Sequence, residues 1–268
     1  MIKIWNGNMP YKLKEIAPNV QARDDVDFEP YMTAYPAGSK GAVIVLPGGG
    51  YVNRAPHEGD TFGEWFQSIG ITAFVFQYRV APNAHPAELS DVQRVIRYVR
   101  HHADEYGIDR NKIAIMGFSA GGHLAGSASV HYDKKAYEPI DEIDNESARP
   151  DLSILCYPVI DMRDYRHDGS KINLIGHRPT ENMKDFMSLH MQVTSDTPEA
   201  FIWHTSSDDG VPVMNSILYA QALSRENINF EMHIYPLGCH GLGLATNEEY
   251  VAKWSKNLEA WLTLKEWK

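Results

Sequence analysis

The sequence predicts a single α/β domain built on a mainly parallel, doubly wound sheet. Three observations carry that expectation. Short apolar runs such as Ala42–Leu46 and Ile71–Phe76 recur along the chain with helix-like segments between them. Runs that do not alternate suit strands buried on both faces, and strands alternating with helices build parallel sheets. A further run, Lys112–Met116, breaks abruptly into Gly117-Phe118-Ser119-Ala120-Gly121, a sharp passage from strand to helix. Finally, no linker, low-complexity tract or internal repeat divides the 268 residues.

Taken in order, the first forty residues alternate loosely, with turn signals at Pro10, Pro18, Pro30 and Pro36, and read as edge strands. Tyr31–Tyr35 is the best strand there. Ala42–Leu46 is the first buried strand and ends at Pro47-Gly48-Gly49-Gly50-Tyr51. A helix follows around Asp60 to Ser68 and stops at Gly70. After the strand Ile71–Phe76, Pro86 opens a helix as its first-turn proline. Its apolar face is Leu89, Val92, Ile96 and Val99, and Gly107 ends it. Downstream, Leu152–Val159, Ala200–Trp203 and Phe230–Tyr235 are three more strands. Residues ~160–196 break the rhythm and read as an insertion lying over the strand ends.

Composition sets limits on function. A formal charge of −10 opposes nucleic-acid binding, because the average surface field repels phosphate. No apolar run approaches the ~20 residues of a membrane span. The N-terminus shows no basic segment followed by an apolar one, so a cytoplasmic location is expected. Cys156 and Cys239 are too few for a disulfide scaffold and read as reduced thiols. The oligomeric state is left open, a homo-oligomer included.

Gly117-Phe118-Ser119-Ala120-Gly121 is the G-x-S-x-G pattern of a nucleophile elbow. Glycines are needed there because side chains beside a strained serine would collide with the packed elements on either side. A serine hydroxyl is a poor nucleophile until a base takes its proton, and that base needs a carboxylate to hold its tautomer. In elbow enzymes both follow the serine in the order acid, then histidine, on loops after later strands. The strand ending at His204 leads into Asp208-Asp209-Gly210, and the strand ending at Tyr235 leads into Gly238-Cys239-His240-Gly241. His240 is therefore the base, with the acid open between two adjacent aspartates. Negative charge developing on a substrate oxygen would meet the N–H of Ala120 at a helix N-terminus and a second N–H from Gly49 or Gly50. Tyr51 reads as a wall of the substrate pocket. No G-x-x-x-x-G-K-[ST] or G-x-G-x-x-G accompanies the glycines, which removes a phosphate-binding reading.

Taken with His57-Glu58-Gly59, Tyr78-Arg79, His85-Pro86, Gly121-Gly122-His123-Leu124-Ala125 and Val211-Pro212, these motifs resemble the acetyl esterase and acetyl xylan esterase branch of the α/β-hydrolase superfamily. The resemblance runs from about residue 40 to the C-terminus. It implies an α/β-hydrolase fold with a small cap insertion, no cofactor, and hydrolysis of short acyl esters, often acetyl groups on sugars or xylo-oligosaccharides. It also implies that Asp208, by its spacing from His204, is the acid that orients His240. Pro47 stands where many relatives in the wider superfamily carry histidine, a difference that leaves backbone donors intact.

Other features fall to plainer readings. His57-Glu58 lacks the second histidine of a zinc helix, so no metal site is expected. His123 reads as packed, Trp65 and Trp203 as core, and Met183, Met187 and Met191 as core or cap packing with an acyl lining as the lesser alternative. Arg79 reads either as a substrate-carboxylate ligand or as a structural partner of Asp91. The rival functions are a prolyl-oligopeptidase-like serine peptidase, which would need a propeller domain this length does not hold, a lipid or medium-chain esterase, and a non-catalytic binding module on the same fold.

Overall fold

The structure is a computed structural model that describes residues 1–16 and 24–268, so Pro18 lies outside the described residues. Its strands are β1 (Ile2–Lys3), β2 (Tyr31–Tyr35), β3 (Ala42–Leu46), β4 (Thr72–Gln77), β5 (Ile113–Phe118), β6 (Leu152–Cys156), β7 (Glu199–Thr205) and β8 (Phe230–Tyr235). They form one sheet in the order β1-β2-β4-β3-β5-β6-β7-β8. Pairing is parallel from β4 to β8, and β1 and β2 join antiparallel at one edge.

Helices cover both faces, which is why the central strands carry no polar side. Along β3, Ala42, Ile44 and Leu46 point into one core while Val43 and Val45 point into the other. The first core is closed by α2 (Ala87–His101), α4 (Ser119–Val130) and α7 (Met214–Arg225). The second is closed by α1 (Asp60–Ser68) and α8 (Lys253–Leu264). The connection from β6 to β7 carries two short helices, α5 (Asp168–Ile175) and α6 (Glu181–Met187).

The helix expected from Pro86 to Gly107 is divided. Pro86 is the N-cap and not the first helical residue, and α2 ends at His101. His102 interrupts it, its ring stacked on Tyr98 at 4.1 Å and its Nδ1–H donating to the Tyr98 carbonyl at 2.8 Å. A single turn, α3 (Ala103–Tyr106), then runs to Gly107, whose φ of 67° makes the left-handed cap. A side chain competing for a helix carbonyl gives the chain a local alternative to the next helical turn.

Arg79 proves structural. Its guanidinium bonds both carboxylate oxygens of Asp91 at 2.9 and 2.7 Å, and neither side chain is exposed. Removing either partner would strand a buried charge, at about 3–5 kcal/mol.

Candidate active site

Ser119 is the first residue of α4 and sits directly after β5, at the carboxyl end of the sheet. Its φ of 51° lies in the left-handed region that side chains avoid. The neighbours make room for it. A Cβ on Gly117 would overlap the Gly121 carbonyl, and one on Gly121 would overlap the Leu46 carbonyl. These clearances let α4 pass close over β3 and hold the hydroxyl at the turn.

The hydroxyl of Ser119 donates to His240 Nε2 at 2.7 Å, and His240 Nδ1–H donates to Asp208 Oδ2 at 2.8 Å. Because Asp208 can only accept, the imidazole proton sits on Nδ1 and leaves Nε2 free to accept from the serine. Asp208 is held on its other side. Its Oδ1 accepts the N–H groups of Gly210 at 2.9 Å and Val211 at 2.7 Å, and His204 Nε2 lies 3.3 Å from Oδ2. Burial alone would raise this carboxyl's pKa, but the bonds from His204, His240 and Val211 outweigh burial and hold it well below the usual carboxylate range. It stays charged.

Asp209 is exposed on the same loop. Its Oδ1 accepts the backbone N–H of His240 at 3.0 Å. Adjacent aspartates thus divide the work, Asp208 on the imidazole and Asp209 on the loop that carries it.

The glycine loop faces Ser119. Gly49, Gly50 and Tyr51 have φ of 130°, 64° and 59° in succession. The Gly48 N–H is already taken by Glu58 Oε2 at 2.8 Å, which leaves Gly49 and Gly50 as the loop's candidate donors beside Ala120. Tyr51, expected as a pocket wall, is fully buried. Its hydroxyl donates to His123 Nδ1 at 2.9 Å, and His123 Nε2–H donates to the Met187 carbonyl at 2.9 Å. The aromatic ring therefore anchors the loop from beneath, because a left-handed turn at a bulky residue persists only where burial fixes it. His123 is packed, as expected, and burial lowers its pKa to about 4.

Glu58 is a residue that sequence reasoning did not single out as part of the site. It is buried, and besides Gly48 it accepts the Tyr157 hydroxyl at 2.6 Å. Tyr157 in turn accepts the Gly243 N–H at 2.9 Å and sets its ring edge-on to His240, 5.1 Å between centroids. One carboxylate so ties the glycine loop to the histidine loop. The pair His57-Glu58 was the only available signal, and it pointed to no partner.

Among the remaining expectations, Trp203 is fully buried, whereas Trp65 is only partly so. Met187 is buried, Met183 is partly buried against the same core and Met191 is 51% exposed. Cys156, buried in β6, and Cys239, exposed next to His240, are both free thiols.

The model of the BD-FAE family matches residues 29–223. The chain belongs to the BD-FAE family. That match runs from just before β2 to near the end of α7 and includes Ser119 and Asp208. This BD-FAE chain is similar to endo-1,4-beta-xylanase B of Butyrivibrio fibrisolvens, 42% identical over 218 residues, covering 80% of the chain and 34% of the relative. It is similar also to an acetylxylan esterase of Xylanibacter ruminicola, 35% identical over 230 residues, covering 82% and 45%. The chain thus spans about a third to a half of the length of these curated relatives. Among solved structures it resembles the acetyl ester-xyloside bifunctional hydrolase from Caldicellulosiruptor lactoaceticus, with 42% identity, a TM-score of 0.89, and coverage of 98% of this chain and 95% of that one. The strand order and this likeness give the BD-FAE chain the α/β-hydrolase fold expected from its motifs. Among the described residues no helix is long and apolar enough to cross a membrane.

Proposed function

We propose that the chain is a serine carboxylesterase that removes short acyl groups, acetyl above all, from sugars or xylo-oligosaccharides. The observation that carries this reading is the unbroken hydrogen-bonded series from Ser119 through His240 to Asp208, with the serine on a strand-to-helix turn. Ser119 Oγ attacks the acyl carbonyl while His240 Nε2 takes its proton. The imidazolium that forms is stabilised by Asp208, which remains ionised. The N–H groups of Ala120 and of Gly49 or Gly50 hold the oxyanion, in a site where fixed donors are worth more than water. His240 returns the proton to the departing alcohol, and water then cleaves the acyl-enzyme by the same route.

The substrate half of the reading is supported by the relatives, whose names specify acetylxylan and acetyl ester-xyloside chemistry. Size supports it as well. Met162, Leu174 and Met187, three of the apolar side chains of the β6–β7 connection, are spent in the core and are not free to line a groove for a long acyl chain. On this reading the connection is a small cap on a single domain. Asn173 of α5 donates to the Gly50 carbonyl at 2.8 Å, which joins the cap to the oxyanion loop.

The test is acetate release from acetylated xylo-oligosaccharides by the wild type and by Ser119→Ala, with fluorophosphonate labelling of Ser119 alongside. Wild-type release without labelling, or labelling without release, would break the link between this serine and this substrate.

A further inference from the structure

His167 stands in the β6–β7 connection as the N-cap of α5. Helix N-caps are ordinarily oxygen-bearing side chains, which accept a backbone N–H and have little else to offer. Here ring nitrogen Nδ1 accepts the Ser170 N–H at 3.2 Å and lies 2.8 Å from the Ser170 hydroxyl. Accepting on Nδ1 places the ring proton on Nε2. Burial, and after it the nearby charge of His240, lower the pKa of this imidazole, so the neutral tautomer holds at neutral pH. Among the described residues the Nε2–H meets no acceptor, although the ring is half-buried.

The ring's position gives that donor a use. Its Cε1 lies 3.8 Å from the point where a Cβ would stand on Gly50, so it faces the glycine loop directly. That loop in turn faces Ser119, whose Cβ lies 3.1 Å from the point where a Cβ would stand on Gly48. His167 thus stands against the glycine loop that faces Ser119. The acyl oxygen already has its donors in the loop and in Ala120. A further donor beside that loop is left for the alcohol half of the ester, and in a sugar ester that half carries hydroxyl oxygens next to the scissile bond.

We propose that the Nε2–H of His167 donates a hydrogen bond to a hydroxyl or ring oxygen of a polyhydroxylated leaving group, making His167 a residue that selects sugar esters over simple alkyl or aryl esters. The proposal rests on the esterase reading above. An imidazole suits both tasks at once. One nitrogen caps the cap helix and the other reads the substrate, so the reading edge is held rigidly by the fold itself.

The experiment measures kcat/KM for a monoacetylated xyloside and for 4-nitrophenyl acetate, and takes the ratio of the two. His167→Asn keeps a capping acceptor in the position of Nδ1 but has nothing at Nε2, and its ratio is expected to fall about tenfold, the loss of one hydrogen bond to substrate. His167→Gln places a donor near the position of Nε2 without the cap, and its ratio is expected to stay within about threefold of wild type while its melting temperature drops. A ratio for His167→Asn within about twofold of wild type overturns the proposal, as does a wild type that does not prefer the xyloside over the aryl ester. A wild type inert toward both substrates overturns the esterase reading instead.

Discussion

The carboxylate of Glu58 accepts the hydroxyl of Tyr157 at 2.6 Å and, through its other oxygen, the N–H of Gly48 at 2.8 Å. Two loops, one carrying Gly49 and Gly50 and one bearing His240, are tied together by a single buried group. Glu58→Gln replaces one acceptor with an NH2 that opposes a donor. It is expected to lower kcat by about tenfold with KM little changed, and to cost about 1–3 kcal/mol of stability. Steady-state kinetics and urea unfolding check this, and full activity in a destabilised variant would reduce Glu58 to a packing residue.

Ser119, as the proposed nucleophile, offers the largest effect. Ser119→Ala is expected to cost roughly 10⁴-fold or more in turnover, because serine, base and acid act as one unit and only binding and the oxyanion donors remain. A variant retaining a tenth of wild-type activity would remove Ser119 from the mechanism.

The two aspartates separate cleanly. Asp208→Asn presents the wrong tautomer of His240 to the serine, and turnover is expected to fall by about 10⁴-fold with the fold intact. Asp209→Asn keeps an oxygen for the His240 N–H and is expected to lose about tenfold or less. Side-by-side assays decide, and the reverse ranking would exchange their roles.

Stability is expected to peak near pH 6.5 and fall on both sides. Burial lowers the pKa values of His85, His123 and His131 to about 4, while burial raises that of Glu88 to about 8. Between about pH 6.5 and 4 the unfolded chain protonates the three histidines and the folded one does not, so stability is lost as pH falls. Glu88 works in the opposite sense. Folded, it keeps its proton, and that stability is lost as pH rises from about 4.5 towards 8. Neither of its oxygens meets a donor from another residue, so Glu88→Gln should flatten the alkaline limb. Melting temperatures from pH 4.5 to 8.5 test both limbs, and a monotonic profile would contradict the assignment.

Acyl preference follows from where the apolar side chains went. With Met162, Leu174 and Met187 packed into the core, kcat/KM is expected to peak at acetyl and fall beyond butyryl. A groove would instead reward each added CH2 by about 0.8 kcal/mol. A nitrophenyl ester series from acetyl to decanoyl distinguishes the two, an optimum at octanoyl favouring a lipid-ester reading.

Local chemistry was legible in the sequence. The strands β3, β4 and β5 and the Ser119 turn were read at nearly their observed bounds, because burial on two faces and a glycine-framed serine leave their mark within a few residues. His240 was legible from chain order. Tyr51 was misread because its exposure depends on His123, 72 positions away, which receives its hydroxyl. The helix after Pro86 was read as continuous because nothing in its apolar spacing records that His102 turns its own ring onto Tyr98.

The sequence by itself determined the fold class and the Ser119 turn, since both depend on periodicity or on short-range sterics, and it pointed to His240 by the order of motifs along the chain. The family resemblance already pointed to Asp208 for the imidazole, and only the tertiary structure showed that Asp209 holds the loop, for neighbouring side chains diverge and their partners lie beyond any local pattern. The same holds for Glu58, whose partners Gly48 and Tyr157 stand 10 and 99 positions away, and for His167. A hydrogen bond is set by distance in space, and once the sheet has brought its strand ends together that distance no longer follows from position along the chain.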